Sequence, residues 1–332
     1  MGPGSYRVND RKGTAEAMKE IGGYIELDRY FLPMLHEDAI KLNCGRNALA
    51  YLVRTKNIQR ILMPSFLCSS CRNVLMKNGV AIRYYPVGPD FKPAGICLKS
   101  GEWLYVVNFY GQLSNAYIRQ LKDKYENVIL DQSQAYFQMP VSKVDTFYTC
   151  RKFFGVADGA LLYTDSPLSD ELPVDVSYER MHFLLGRFEK TASEFYEEYV
   201  QNNDLFLDEP VKRMSKLTEN LLHGIDYDTV KRIRTENFSY LHAAFQKRNK
   251  LELIVPEGAF MYPLYLENGK IIRNQLLKKK IYIPVLWPDV YTTCGDSHRE
   301  HDLAENILPL PVDQRYGIED MDNIIQHIYS VQ

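Results

Sequence analysis

Lys152 lies in a segment whose neighbours suit an amine nucleophile. It follows the strand-like run Asp145–Thr149, has Arg151 beside it, and precedes two phenylalanines and the turn Asp158-Gly159-Ala160. Apolar walls and a second cation lower the proton affinity of an amine, which a nucleophile or Schiff-base former requires. The alternative is an ordinary lysine whose stem covers the phenylalanines while its ammonium stays in water. Taken alone, the segment favours this alternative.

A carboxylate closes the apolar run Val128–Asp131 and is followed by Gln132-Ser133-Gln134-Ala135. A charge at the end of a buried strand is costly unless a cation or a protonated ring nitrogen faces it. The alternative is that Asp131 caps the next turn. The segment alone supports the two interpretations about equally.

A glycine turn in Asn43-Cys44-Gly45-Arg46-Asn47 directly precedes a predicted helix. The free N–H groups and the positive dipole at the start of a helix can bind a phosphate. A glycine before a helix is more often only a turn, and this motif alone favours the turn.

Apolar runs alternate with segments of helical period up to about residue 165, which predicts an α/β fold with a mostly parallel sheet covered on both faces. Ligands of such sheets bind beyond the carboxyl ends of the strands, where Asn108 and Asp131 are expected. The predicted strands are 60–64, 81–85, 103–108, 127–131 and 160–164, and the predicted helices are 46–55, 69–78 and 115–125.

The pattern changes after Asp165. Residues 177–250 have helical period, with long stretches at 183–200 and 226–248, and residues 251–287 contain strand-like runs. Residues 318–330 predict a closing amphipathic helix. We therefore expect a tag and N-terminal arm at 1–20, a large domain at 21–175, a helical bridge at 176–250 and a small α+β domain at 251–332.

The composition excludes several classes of protein. With 332 residues, 40 Lys and Arg against 42 Asp and Glu, and a net charge of -2, the chain has no basic surface for nucleic acid and no polybasic membrane anchor. No apolar run approaches the roughly 20 residues that span a bilayer, and the start does not have the pattern of a signal peptide. We expect a cytoplasmic protein.

Six scattered cysteines indicate reduced thiols rather than a disulfide framework. Cys68 and Cys71 form one C-x-x-C pair, which could be redox-active or half of a zinc site. The favoured interpretation is that they are two small apolar side chains on a buried helix face. Asp296, His298, His301 and Asp302 favour a charged loop over a metal site. No metal is predicted.

In order and spacing, these motifs resemble the DegT/DnrJ/EryC1/StrS family of sugar aminotransferases, which have the pyridoxal-phosphate-dependent fold type I. The segment 44–49 resembles the family's glycine turn before a helix, and Asp131 with Gln134-Ala135 matches its Asp-x-x-Gln-Ala motif. Tyr148 through Lys152 to the turn 158–160 resembles its lysine loop. Ile21-Gly22-Gly23 and residues 308–328 resemble its opening and its closing strand and helix. The resemblance thus covers nearly the whole chain.

The resemblance implies a role for each motif. Lys152 would form the internal aldimine with pyridoxal 5'-phosphate and move the proton during transfer, and Asp131 would pair with the pyridinium nitrogen. Gln134 would contact the ring, while Gly45, Arg46 and Asn47 would hold the phosphate. The resemblance further implies a homodimer and a keto-sugar substrate, nucleotide-linked and belonging to polysaccharide biosynthesis, with an amino acid such as glutamate as donor.

The sequence departs from the family pattern at several positions. Cys68 stands where the family often has an aromatic residue that stacks on the cofactor, Asn108 where it commonly has histidine, and Phe147 where it has serine. Arg46 replaces a small hydroxyl residue. Asn108 and Tyr148 are candidate substrate contacts. These departures leave two alternatives open: a catalytically silent or regulatory homologue, and a pyridoxal-phosphate lyase or dehydratase.

The spacing of the lysine loop allows two registers. Counting back from Asp158-Gly159 places Lys152 at the position of the family lysine, whereas a longer loop counted from Phe147 would place Arg151 there. Arginine stays protonated and cannot form the covalent bond. Lys152 is therefore the predicted catalytic residue.

Overall fold

The computed structural model describes residues 21–293 and 299–331. Seven strands form one sheet in the order β1-β7-β6-β5-β4-β2-β3. Only β7 runs against the others, since it pairs antiparallel with both β1 and β6. These strands are β1 Ile40–Leu42, β2 Arg60–Pro64, β3 Ala81–Tyr85, β4 Trp103–Val107, β5 Val128–Asp131, β6 Asp145–Thr149 and β7 Ala160–Tyr163. The predicted α/β fold with a mostly parallel sheet is confirmed.

Helices connect these strands and build the rest of the molecule. Two 3-10 turns lie at Phe109–Gly111 and Tyr178–Arg180, and two further strands, β8 Met261–Tyr265 and β9 Ile307–Pro311, form a small antiparallel sheet. The α-helices are α1 Gly45–Thr55, α2 Ser69–Lys77, α3 Asn115–Lys124, α4 His182–Glu189, α5 Tyr196–Leu205, α6 Lys216–Leu222, α7 Tyr227–Phe245, α8 Gly269–Lys278, α9 Val290–Thr293, α10 Arg299–Asn306 and α11 Ile318–Ser330.

β4 and, up to its final Asp131, β5 are apolar because both faces of the large sheet are covered. Alternate side chains enter two separate cores: Tyr105 and Ile129 pack on one face, and Leu104 and Leu130 on the other. This burial explains why these strands were recognisable as continuous apolar runs.

The second half of the chain differs in part from its predicted pattern. The predicted helix over 183–200 is two helices, α4 and α5, separated by residues 190–195. The runs at 251–255 and 281–287 are not strands, and residues 269–278 between them form α8. Proline is confined to edge strands, as are Pro263 and Pro309 in the two-stranded sheet, and Pro256 and Pro284 leave these two runs with fewer N–H groups for strand pairing.

The small sheet has its own core, in which side chains of α7, α8 and α11 pack on β8 and β9. Trp287, Val290 and Leu303 belong instead to the core of the large sheet. The domain limits at 175 and 250 remain predictions. The arm at 1–20 lies outside the described residues, as do Asp296 and His298. No helix among residues 21–293 and 299–331 combines the length and apolarity needed to cross a bilayer.

Candidate active site

The sheet topology brings the predicted motifs to one edge. β2, β4, β5 and β6 are mutually parallel, so their carboxyl ends lie side by side. Asp131 ends β5, Cys68 follows β2, and Lys152 follows β6. β1 runs in the same direction and leads directly into α1 at Gly45. This edge is where ligands of open α/β sheets bind.

Asp131 is a buried carboxylate with a donor on each oxygen. The Tyr105 hydroxyl donates to Oδ2 at 2.7 Å, and the Ser133 backbone N–H donates to Oδ1 at 2.8 Å. Burial and the negative charge of Asp131 raise the pKa of Tyr105 well above its ordinary value, so the phenol keeps its proton. The two donors fix the carboxylate at the end of β5.

The thiols of Cys68 and Cys71 lie at the start of α2, which follows β2 at the same edge of the sheet. A hydrogen bond from Cys71 is the main reason that the pKa of Cys68 falls to about 6, and the positive charge of Lys152 also contributes. The same hydrogen bond and burial raise the pKa of Cys71 well above its ordinary value, and the charge of Asp131 adds to this. Lys152 is therefore within electrostatic reach of one thiol, and Asp131 of the other.

Lys152 is exposed, with its Nζ 5.6 Å from the centre of the Phe260 ring. The next carbonyl along the chain, that of Phe153, accepts hydrogen bonds from Arg234 Nη2 at 3.1 Å and Gln314 Nε2 at 2.8 Å. Arg234 is only 1% exposed, and burial lowers its pKa to about 10. A buried arginine on α7 thus fixes the backbone beside the lysine.

Arg151 and Arg46 both donate hydrogen bonds to Asn203, and Arg46 lies in the first turn of α1. Arg151 Nη1 donates to Asn203 Oδ1 at 2.5 Å, and Arg46 Nη1 donates to Asn203 O at 2.7 Å. Burial lowers the pKa of Arg151, with a further lowering from the charge of Arg46, although Cys44 acts in the opposite sense. Arg151 Nε is a buried donor with no partner among the described residues. Two cations beside the positive end of a helix favour an anion.

The side chains at the start of α1 are partly committed to packing. Asn47 Nδ2 donates to Pro210 O at 2.7 Å and to Asn43 Oδ1 at 2.9 Å, so only its backbone remains for an anion. A Cβ added at Gly45 would lie 3.6 Å from the Phe147 ring. Phe147 therefore closes the space beside this helix start, where a serine would leave room.

Three predicted site residues use their polar groups in hydrogen bonds within the protein. Gln134 Oε1 accepts from the Tyr110 backbone N–H at 2.7 Å, which supports the positive φ of Tyr110. The buried amide of Asn108 binds Leu113 and two glutamine side chains. The Tyr148 hydroxyl donates to Gln138 O at 2.8 Å, on the sheet face opposite Phe147. The structure does not bring Asn108 or Tyr148 together with Lys152.

Sequence reasoning missed the residues that support the site. Tyr105 gives a weak signal, since it stands two positions before the end of the strand beside β5. Arg234 and Gln314 give none, because they lie 82 and 162 positions after Lys152 and meet its loop only in the folded chain.

Comparisons with known proteins identify the fold. No family model and no curated protein matches the sequence. Among solved structures, a DegT DnrJ EryC1 StrS aminotransferase from Brucella abortus is similar at 15% identity, covering 88% of this chain and 85% of that chain, with a TM-score of 0.57. The putative sugar aminotransferase Spr1654 from Streptococcus pneumoniae in its PLP form is 14% identical over 90% and 88%, with a TM-score of 0.62.

S. venezuelae DesV, solved in complex with a ketimine intermediate, is 14% identical over 88% of this chain and 84% of that chain, with a TM-score of 0.64. Each of these alignments covers at least 88% of this chain. The chain therefore adopts the fold of the DegT/DnrJ/EryC1/StrS sugar aminotransferases.

Proposed function

We propose that this protein is a pyridoxal-phosphate-dependent aminotransferase that moves an amino group from an amino acid, with glutamate as the proposed donor, to a nucleotide-linked keto sugar. The observation that carries the proposal is that Asp131 ends β5 and Lys152 follows β6, because these two strands are parallel neighbours and both residues therefore lie at the carboxyl edge of the sheet. An amine and a fixed carboxylate are the two groups that this cofactor requires from a protein. Solved proteins of this fold include PLP and PMP forms of a sugar aminotransferase.

The charged groups of the site suit the three parts of the cofactor. Asp131 faces the edge with both oxygens fixed, which suits a protonated ring nitrogen. Arg46 and the unpartnered Nε of Arg151, together with the N–H groups that begin α1, suit a phosphate. The Lys152 amine is exposed and close to this edge, which suits an aldehyde.

Each residue then has a defined task. When bound, pyridoxal phosphate supplies an aldehyde and an electron-withdrawing ring that stabilises a carbanion. Asp131 holds a proton at the ring nitrogen, and Tyr105 and Ser133 keep its carboxylate in place. Lys152 would hold the cofactor through its aldehyde and would carry a proton to and from the α-carbon of the amino donor. Arg234 and Gln314 orient the backbone that holds Lys152.

Two features favour the alternative of a catalytically silent protein with this fold. The Phe147 ring packs beside Gly45, and Gln134 uses its amide oxygen on Tyr110. Both reduce the polar surface that a cofactor could contact. A lyase or dehydratase would use the same Lys152 and Asp131, so those residues do not separate it from an aminotransferase. Detection of a transferred amino group separates them.

The test is reductive trapping. The purified protein is mixed with pyridoxal phosphate and treated with borohydride, and the modified peptide is located by mass spectrometry. We expect the label on Lys152, and we expect Lys152→Ala to lose it and the accompanying yellow absorbance. Lys143→Ala is the matched control, because Lys143 is an exposed lysine on the loop before β6 and should leave the label unchanged.

Two outcomes would contradict the proposal. Label spread over exposed lysines, unchanged by Lys152→Ala, would indicate a silent protein. Loss of the absorbance in Arg151→Ala with retention in Lys152→Ala would reject the chosen register. Transfer of nitrogen from labelled glutamate to a keto sugar then tests the substrate class, with glutamate consumption in the absence of sugar as the blank.

We also propose that the protein is a cytoplasmic homodimer. Residues 21–32 form no helix or strand and expose large apolar side chains: Tyr24 is 97% exposed and Phe31 86%. Phe188 on α4 is 92% exposed. Apolar surface of this kind is typical of a protein interface, and a second copy of the chain is the proposed occupant. Sedimentation equilibrium at micromolar concentration should give twice the chain mass, and a monomer would contradict the proposal.

A further inference from the structure

Cys68 and Cys71 occupy the first turn of α2, next to the proposed site. Cys68 is the N-cap of this helix and Cys71 is its third residue. Residues three apart in this position face the same side, and the two thiols are close enough for hydrogen bonding by Cys71 to be the main cause of the lowered pKa of Cys68. Cys68 is partly exposed, whereas Cys71 is buried. The two thiols are thus adjacent, and only one of them is open to solvent.

The surroundings make the two thiols unequal. The Ser70 hydroxyl lies 2.8 Å from Cys68 Sγ, and the Lys152 ammonium is also near this sulfur. Cys71 Sγ lies 3.4 Å from the Tyr105 hydroxyl, on the side of Asp131. These contacts stabilise a thiolate at Cys68 and a neutral thiol at Cys71. The thiolate is the form that attacks a disulfide.

The charged groups around the pair do not all act in the same direction. The N-terminal end of α2 and Lys152 favour the Cys68 thiolate. The Asp289 carboxylate, which accepts the Ser69 backbone N–H at 2.7 Å, opposes negative charge at the same helix end. The pKa of about 6 for Cys68 is the net result, and it leaves the thiolate dominant at neutral pH.

We propose that Cys68 and Cys71 form a thiol–disulfide exchange site whose co-reactant is a small-molecule disulfide. The Cys68 thiolate attacks one sulfur of the co-reactant and forms a mixed disulfide, and the first thiolate leaves. Cys71 then loses its proton to solvent and attacks Cys68 Sγ, which forms the internal disulfide and releases the second thiolate. The protein is oxidised by two electrons, and one disulfide is reduced to two thiols.

This site does not depend on the proposed aminotransferase function, because its chemistry requires neither cofactor nor substrate. Oxidation of the two cysteines does, however, change the charge at the sheet edge where Lys152 lies. Oxidation removes the thiol proton that Cys71 shares with Cys68 and replaces a thiolate near Lys152 with a neutral disulfide. We therefore expect the oxidised protein to differ from the reduced protein in the rate at which Lys152 reacts with an aldehyde.

The experiment uses the full chain equilibrated with oxidised glutathione, then alkylated with iodoacetamide and mapped by mass spectrometry. We expect the peptide that carries Cys68 and Cys71 to lose two hydrogen atoms and both alkylation sites, and dithiothreitol to restore them. Cys71→Ser should stop the reaction halfway and retain one glutathione on Cys68. Cys97→Ser is the matched control, because Cys97 is an exposed thiol outside the pair and should not alter the result.

If Cys71→Ser fails to fold, the alkylation pattern of the wild-type protein by itself tests the proposal. Two alkylated cysteines at 68 and 71 after equilibration with excess disulfide would overturn the proposal. Glutathione found on Cys97 in the wild type while Cys68 and Cys71 are both alkylated, or no adduct on Cys68 in folded Cys71→Ser, would overturn it as well.

Discussion

His36 should make folding sensitive to mildly acidic pH. Its ring is fully buried, with Nε2 2.8 Å from Tyr136 O and Nδ1 3.1 Å from the Tyr163 hydroxyl. A carbonyl can only accept, so Nε2 carries the proton and Nδ1 accepts from Tyr163. A second proton on Nδ1 would place a charge in this interior. Burial therefore lowers the pKa of His36 to about 4, although the bond to Tyr136 acts in the opposite sense.

The sign and size of the effect follow from linkage. Between pH 6.5 and about 4 the unfolded chain binds a proton at His36 and the native protein does not, so the free energy of unfolding falls as pH falls. The stabilisation by neutral His36 is fully present above pH 6.5, its pKa in the unfolded chain, and it is fully lost below about pH 4, its pKa in the native protein. A pKa difference of about 2.5 corresponds to about 3 kcal/mol.

The assay is urea unfolding followed by tyrosine fluorescence or circular dichroism at several pH values across this window. His36→Gln is the reference, because its amide can donate to Tyr136 O but does not titrate. We expect the difference between wild type and variant to change by about 3 kcal/mol between pH 7 and pH 4. Parallel stability curves for the two proteins would refute the reasoning, since other titrating groups are common to both.

Two further substitutions test the packing around the site. Arg234→Met removes buried donors, one of which binds the Phe153 carbonyl next to Lys152, and should lower the free energy of unfolding in urea by about 3 kcal/mol. It should also slow the labelling of Lys152 by pyridoxal phosphate. An unchanged labelling rate would contradict the role of Arg234 as a positioning residue. Gly258→Ala places a Cβ 2.2 Å from the Phe137 ring at a φ of +61° and should cost about 3 kcal/mol. Gly79→Ala, with φ +73° and open space, is its control and should cost only about 1 kcal/mol.

Much of the large sheet was predictable from sequence because its strands are buried on both faces. β2, β4 and β5 are continuous apolar runs, and each was located within one residue of its observed limits. The small sheet was less predictable, since the run at 281–287 is as apolar as a strand and yet pairs with none. Local composition cannot distinguish pairing from packing.

The sequence alone determined the α/β fold, the helix that starts at Gly45, and the placement of Asp131 and Lys152 at the ends of parallel strands. Those features depend on apolar period and on strand direction, which are local. Only the tertiary structure decided that Arg151 turns toward Arg46, that Arg234 holds the backbone beside Lys152, and that the Cys68–Cys71 pair is within electrostatic reach of both proposed catalytic groups. These contacts join residues distant in the chain, and side-chain direction at a strand end depends on the neighbours that pack there.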